Sequence, residues 1–277
     1  MKKIAIFLTA LMMSVNAFSQ AQITTRKEKL SDFATRTMKV VLPGTNFIDP
    51  ILQEALNNTW SLSPFEFCSV DEFNSLKNNE EYYFMLPVKV KYKKEEQPGI
   101  IMLTIVKGKA NAKTVNDMVE VVSMPICAAD FPSGREAAML PGLVDIMQGY
   151  IAKSLQGNFS GIGSYVTPLS KSARRKAVIA EEDIAPAADS AFREKIAQKG
   201  IDIESGDVAD SLFLAGDSRT LVSYVITPTE PHKGAVCWKI LIDARTHELF
   251  YYKKHTVTGT ENAGFLKGDL KKIAKTR

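Results

Sequence analysis

The sequence predicts an α+β fold of mixed α/β character in two modules: an amino-terminal mixed sheet with helices, then a carboxy-terminal helix packed on an antiparallel sheet. Three observations carry this. Apolar segments of strand period and helix period alternate through the first half. A stretch punctuated by Gly157, Gly161, Gly163, Pro168 and Pro186 then interrupts them. Beyond it, one helical segment is followed by short strands that close in a hairpin. Composition fits: the 277 residues are 45% apolar and 24% charged, which argues against disorder, collagen and a multi-span membrane protein. The length suits one or two domains, each large enough to bury a core.

Met1-Lys2-Lys3 is a basic start, Ile4–Val15 an apolar run too short for a membrane helix, and Ala17 and Ser19 form an A-x-S cleavage pattern. Residues 1–19 therefore read as a signal for the Sec pathway, with a mature chain beginning at Gln20 in the periplasm or outside the cell. No Cys stands near the cleavage pattern to take a lipid anchor. Of 35 basic residues, the loss of Lys2 and Lys3 leaves 33 against 31 acidic ones, a charge of +2. That is too small for a nucleic-acid binder.

The elements of the first module, residues 20–156, follow in order. Met38–Leu42 reads as a strand ended by Pro43-Gly44. Asp49-Pro50 opens a helix whose apolar face is Ile48, Ile51, Leu52, Ala55 and Leu56. Phe65–Cys68 is a short strand and Val70–Leu76 a short helix. Val88, Val90 and Tyr92 alternate with Lys89, Lys91 and Lys93, which gives a strand with one buried and one lysine-bearing face. Ile100–Val106 is apolar enough for a central strand buried on both faces, and Val119–Ile126 is another strand. Ser133-Gly134-Arg135-Glu136 reads as a capping box for a helix lined by Leu140, Leu143, Val144, Met147, Tyr150, Ile151 and Leu155. Pro141 is expected to kink or restart it.

Residues 157–186 read as a linker carrying the basic cluster Lys171, Arg174, Arg175 and Lys176. In the second module, 187–277, a helix near Asp189–Lys199 is stopped by Gly200. Strands follow at Ser211–Ala215, Thr220–Ile226, Val236–Asp243 and His247–Lys253. If Asp243 faces His247, then Trp238, Ile240, Ile242, Phe250 and Tyr252 share one face of the closing hairpin, and Cys237, Lys239, Asp243, His247 and Lys253 the other.

Ile242-Asp243-Ala244-Arg245-Thr246-His247-Glu248-Leu249 resembles the closing hairpin of PepSY-like domains, commonly V-D-A-x-T-G-E-V. The preceding helix, the break at Gly200 and the strand at Leu221–Ile226 come in that family's order, so the likeness spans roughly residues 187–257. His247 stands where the family usually has Gly. The resemblance implies a small exported α+β module linked to protease regulation and to protein or ligand binding, without catalytic residues of its own. In the first module, the helix followed by Phe65–Cys68 and Asp71-Glu72-Phe73 is similar in pattern to the amino-terminal domain of TolB-like periplasmic proteins.

No catalytic, cofactor-binding or metal-ligating constellation stands out. His232, His247 and His255 are the three histidines. His247 and His255 lie on one extended run, roughly 26 Å apart at strand rise, and cannot share a metal. Ser160 lacks the flanking glycines of a nucleophile elbow, and no G-K-[ST] follows for a P-loop. Adjacent carboxylates at Asp71-Glu72, Glu80-Glu81, Glu95-Glu96 and Glu181-Glu182-Asp183 read as solvated turns and helix starts, although a glycosidase pair is assembled in space rather than in sequence. For Cys68, Cys127 and Cys237, both a Cys68–Cys127 bridge and separate core thiols are compatible with an exported chain. Candidate interaction residues are Lys89, Lys91 and Lys93 on the lysine face, Trp238, Tyr251 and Tyr252 as groove aromatics, Asp243 and His247 at the hairpin, and Lys267, Lys271 and Lys275 along a last helix. The function these point to is an exported, non-catalytic binding or assembly protein of the bacterial cell envelope, with an envelope protein or peptide as partner. The alternatives are an exported hydrolase with a site between the modules, or a protease-regulating module, which the PepSY resemblance alone implies. A pocket holding converging carboxylates, or His247 with a second polar group, favours the enzyme; an exposed patch favours the binder.

Overall fold

The computed structural model describes residues 14–16, 30–45, 47–157 and 161–277. Apart from β1 (Ser14–Asn16), which runs parallel to Lys89–Lys91, the expected signal segment and its cleavage position lie outside the described residues. So does Ser160. The two-module α+β architecture is present as two sheets, each flanked by helices.

In the first sheet the order is β3-β2-β4-β5-β6, from β2 (Met38–Val41), β3 (Phe65–Cys68), β4 (Tyr83–Lys91), β5 (Ile100–Lys107) and β6 (Val119–Ala128). β2 runs parallel to β3 and β4, and β4, β5 and β6 are antiparallel. Helices α1 (Ile48–Thr59) and α2 (Val70–Leu76) stand on either side of β3 in sequence. Ser69 caps α2 by accepting from the Glu72 N–H. Asp49 does not cap α1: it sits inside the helix and closes the preceding turn by accepting from the Gly44 N–H at 2.7 Å. The alternation of Val88 and Val90 with Lys89 and Lys91 holds, whereas Tyr92 and Lys93 have left the strand and enter a turn. Cys68 and Cys127 lie on the two opposite edge strands, four strand spacings or roughly 19 Å apart. All three cysteines are buried and free.

Helix α3 (Glu136–Gln156) runs through Pro141 without a break. Its start differs from a capping box: the Glu136 carboxylate accepts from the Ser133 and Gly134 N–H groups and the Ser133 hydroxyl, and Ser133 does not cap the helix. Ala138, Leu140, Leu143, Ile146, Met147 and Tyr150 are all buried, so the helix is covered on nearly every side. The reason is its position: α3 packs on α1 and β6 of the first module and meets α5 of the second. Gly142 permits the approach of α5, and Gly149, two turns on along the same face, leaves room for Tyr165 of the segment that follows α3. A Cβ on Gly142 would stand 2.5 Å from Phe213 Cζ, and one on Gly149 2.3 Å from the Tyr165 hydroxyl.

The second sheet has the order β11-β10-β9-β7-β8. β9 (Thr220–Ile226), β10 (Val236–Asp243) and β11 (Leu249–Thr256) are antiparallel, and the sheet continues in parallel through β7 (Lys176–Ala180) and β8 (Ile201–Glu204). The segment expected as a linker thus contributes a strand, β7, between β8 and β9. Helix α4 (Ser190–Ala197) is capped by Asp189 and followed by Gly200 at φ 80°. The expected strand at Ser211–Ala215 is instead the end of helix α5 (Gly206–Leu214), which Ser205 caps. Helix α6 (Lys267–Ala274) closes the chain.

Both faces of this sheet are buried. Val178, Val222, Tyr224, Trp238, Ile240 and Ile242 join one apolar core that continues into the first module. Ile179, Leu221, Leu241, Phe250 and Tyr251 form a second core under α4 and α6, with Ile196, Leu270 and Ile273. A bulge between Leu241 and Ile242 moves Phe250 to that second core, away from Trp238 and Tyr252. Polar contacts bind the modules too. The Tyr224 hydroxyl donates to the Ile126 carbonyl at 2.7 Å, and the buried Glu95 carboxylate accepts from Tyr92 and Val236 N–H groups.

Candidate functional site

Among the described residues, four constellations of charged residues bear on the second module and its junction with the first, and three are consumed internally. The first is Arg135 at the start of α3. It is buried, donates to Asp183 at 2.9 Å, to Asp210 and to the Ser223 carbonyl, and lies 5.5 Å from the Tyr224 ring centre. Asp183 also accepts from the Ser223 hydroxyl and the Val225 N–H. Burial alone would lower the Arg135 pKa, but its two aspartates hold it above the ordinary value.

The second lies under α6. Lys239 is buried and donates to Asp269, which also accepts from the Tyr251 hydroxyl at 2.5 Å and the Leu266 N–H. Burial raises the Asp269 pKa, but these donors more than offset it and leave the carboxyl below its ordinary range. Tyr251 is therefore a core residue, not a groove aromatic.

The third is the closing hairpin turn. Asp243 accepts from the Arg245 and Thr246 N–H groups and from Arg175 Nε at 2.7 Å. Its burial raises the carboxyl pKa, and the turn N–H groups with Arg175 pull it below the ordinary value. His247 adopts φ 52°, the left-handed conformation that glycine takes readily. Its Nδ1 is 2.9 Å from Asp145 on α3, and its ring stacks on Phe213 with centres 5.3 Å apart. The His247 contact holds Asp145 below the usual carboxylate range. His247 thus has a second polar group, and the pair bridges the modules.

The fourth constellation is not consumed. Lys176 stands opposite Thr220 in the parallel β7–β9 register, and the Lys176 N–H donates to the Arg219 carbonyl at 2.7 Å. That register brings the basic cluster of the 3-10 turn Leu169–Ser172 and its exit beside Arg219, more than forty residues later. Ser170, Lys171, Ala173, Arg174, Arg175 and Arg219 line a concavity of about 400 Å³. Arg175 is neutralised by Asp243 and Glu248 and lies 4.6 Å from the Phe250 ring centre. Lys171, Arg174 and Arg219 are exposed and form no ion pair among the described residues. The turn is fixed from beneath: Arg175 donates to the Lys171 carbonyl, and Arg277 to the Ser172 carbonyl and hydroxyl and the Arg175 carbonyl. Burial, and to a lesser degree the adjacent Arg175, push the Arg277 pKa below its ordinary value.

The other sequence candidates are dispersed. Lys89 pairs with Asp130 at 3.6 Å, Lys91 is half-buried, and Lys93 is exposed in the β4–β5 turn. Trp238 is buried with its indole N–H on the Tyr92 hydroxyl and Lys254 over its ring; Tyr252 packs beside it. Lys267 pairs with Asp189, and Lys267 and Lys271 both lie over Phe192. Exposed large apolar side chains are spread over β3 (Phe67), the loop after β6 (Phe131) and α5 (Val208, Leu214). Among the described residues no cluster of His, Cys, Asp or Glu could hold a metal ion, and no helix is long and apolar enough to cross a membrane. No protein-family model matches the chain, and no curated protein or solved structure is detectably similar to it.

Proposed function

We propose that the protein is an exported, non-catalytic binding or assembly protein of the bacterial cell envelope, and that it makes contact through the concavity bounded by Lys171, Arg174 and Arg219. One observation carries this reading. Arg135, Lys239 and Arg175 have acidic partners inside the fold, whereas these three cations line one depression and have none among the described residues. Convergent unpaired charge costs self-repulsion in the free protein and gains value when an anionic surface meets it. The leader-like residues 1–19 support export, and the PepSY-like hairpin is consistent with a binding role.

The test is mild crosslinking in cells followed by capture of the tagged full chain, in parallel with the variant Lys171→Glu/Arg174→Glu/Arg219→Glu. A near-stoichiometric envelope partner captured by the native chain and lost with the variant is the expected result. Equal capture by both, or a chain retained in the cytoplasm with its first 19 residues intact, overturns the reading.

A hydrolase is the second reading, favoured by the Asp145–His247 pair between the modules. A carboxylate that orients an imidazole is the base half of a nucleophilic constellation. Phe213 stacking on the ring also gives the pair a packing role. His247→Gln leaves partner capture intact if the binding reading holds.

A further inference from the structure

We propose that the concavity between the Leu169–Ser172 turn and Arg219 is a site for a phosphate group carried as an ester; this rests on the binding reading above and names its chemistry. Four features point to it. Lys171 and Arg174, from the Leu169–Ser172 turn and its exit, and Arg219, from the turn before β9, line one depression together with Ser170. A carboxylate presents two oxygens in a plane and is satisfied by one guanidinium fork. A tetrahedral phosphate presents three outer oxygens and more charge, which matches a lining that supplies two unpaired guanidinium groups, an ammonium and a hydroxyl.

The second feature is positioning. Arg219 has φ 62°, a left-handed backbone uncommon for a residue with a long side chain. Its carbonyl accepts from the Lys176 N–H at 2.7 Å, which ties this position to β7. Backbone held in such a conformation is found disproportionately at binding sites. The third is rigidity: the Arg175 and Arg277 side chains occupy the Lys171, Ser172 and Arg175 carbonyls, so the backbone that bears Lys171 and Arg174 is tied down. The fourth is size. A concavity of about 400 Å³ exceeds what a bare phosphate fills and leaves room for part of the group esterified to it. No acidic residue is among those that line it.

Two sources share this chemistry, the headgroup of an anionic phospholipid and a soluble phosphate ester, and the experiment separates them. The purified mature chain is titrated with glycerol phosphate, with inorganic phosphate, and with vesicles of phosphatidylcholine alone or mixed with phosphatidylglycerol, at low and at moderate chloride. The variant is Arg174→Gln/Arg219→Gln. The control is Lys233→Gln, an exposed lysine in the β9–β10 loop. Both arginines are exposed and unpaired, so thermal melting of the variant is expected to match the native chain; Lys171→Gln serves as a second, milder variant.

Glycerol phosphate binding that falls at least tenfold in the double variant and less than twofold in the control is the expected result. Binding confined to phosphatidylglycerol vesicles, with the same dependence on Arg174 and Arg219, supports the site and assigns it to lipid. No binding of any phosphate probe overturns the proposal, as does equal loss in the Lys233→Gln control. The two readings fail separately. Partner capture lost on charge reversal without phosphate binding leaves the binding module standing and removes this inference; phosphate binding without any partner does the reverse.

Discussion

Arg135→Met tests how the two modules are joined. The substitution preserves length and apolar volume but removes a guanidinium that spans Asp183, Asp210 and the Ser223 carbonyl. Asp183 is 3% exposed and would keep two donors, the Ser223 hydroxyl and the Val225 N–H. Removing one partner of a buried pair costs about 3–5 kcal/mol, and the two surviving donors place the expected loss near the lower end, about 3 kcal/mol. Arg135→Met/Asp183→Asn should recover part of that loss, because the more deeply buried of the two carboxylates is then neutral and only Asp210 is left without its guanidinium. The assay is urea unfolding with tryptophan fluorescence. The protein has two tryptophans, Trp60 beside α1 and Trp238 on β10, so Trp60→Phe and Trp238→Phe versions report the modules one at a time. One apolar core runs through both modules, so the two probes should give coincident transitions, shifted together by Arg135→Met. A loss under about 1 kcal/mol, or a shift of one probe alone, would refute the shared-core argument.

Other consequences are equally specific. Gly142→Ala should cost about 1–3 kcal/mol, because its Cβ would meet the buried Phe213 ring, and Gly142→Ala/Phe213→Leu should recover part of this in the same unfolding assay. The carboxyls of Asp145, Asp243 and Asp269 all sit below the ordinary value of 3.8, so their contribution is complete above that pH and is lost as pH falls through their folded values. Melting temperature should therefore drop steeply below about pH 4, and Asp243→Asn should flatten that drop. Burial pushes the Cys68 and Cys237 thiols up to about 11, and Cys127 higher still. Alkylation at pH 8 should be slow in the folded chain and, in urea without reductant, should add three labels by mass; one label would reveal a bridge.

Much of the fold was legible because its elements are local. β3 and α2 match their expected ends, and the lysine alternation of β4 is visible by eye. Helix α5 was misread as a strand because Leu212-Phe213-Leu214 is a short apolar run; the helical signal lay upstream, in Ser205 as cap and Asp207 in the first turn. β7 was hidden in a linker reading because Ala177-Val178-Ile179-Ala180 is brief and flanked by charge. The near-continuous apolar surface of α3 was itself a sign of burial on several sides, and it marked the junction of the modules. In the concavity, Lys171 to Lys176 could be seen as a cluster, but Arg219 could not. It reaches them through the parallel pairing of β7 with β9, a long-range register that periodicity does not encode. Asp145 and His247 meet across 102 residues through the packing of α3 against the β10–β11 turn, which local pattern does not encode either.

The most direct test of the phosphate-site account is a backbone-amide NMR titration of the purified protein with glycerol phosphate and with a short-chain phosphatidylglycerol. The account predicts shifts centred on Ser170–Lys176, Arg219 and Thr220, with Asp145 and His247 unmoved. Shifts centred on Asp145, Phe213 and His247, or none with either probe, would contradict it.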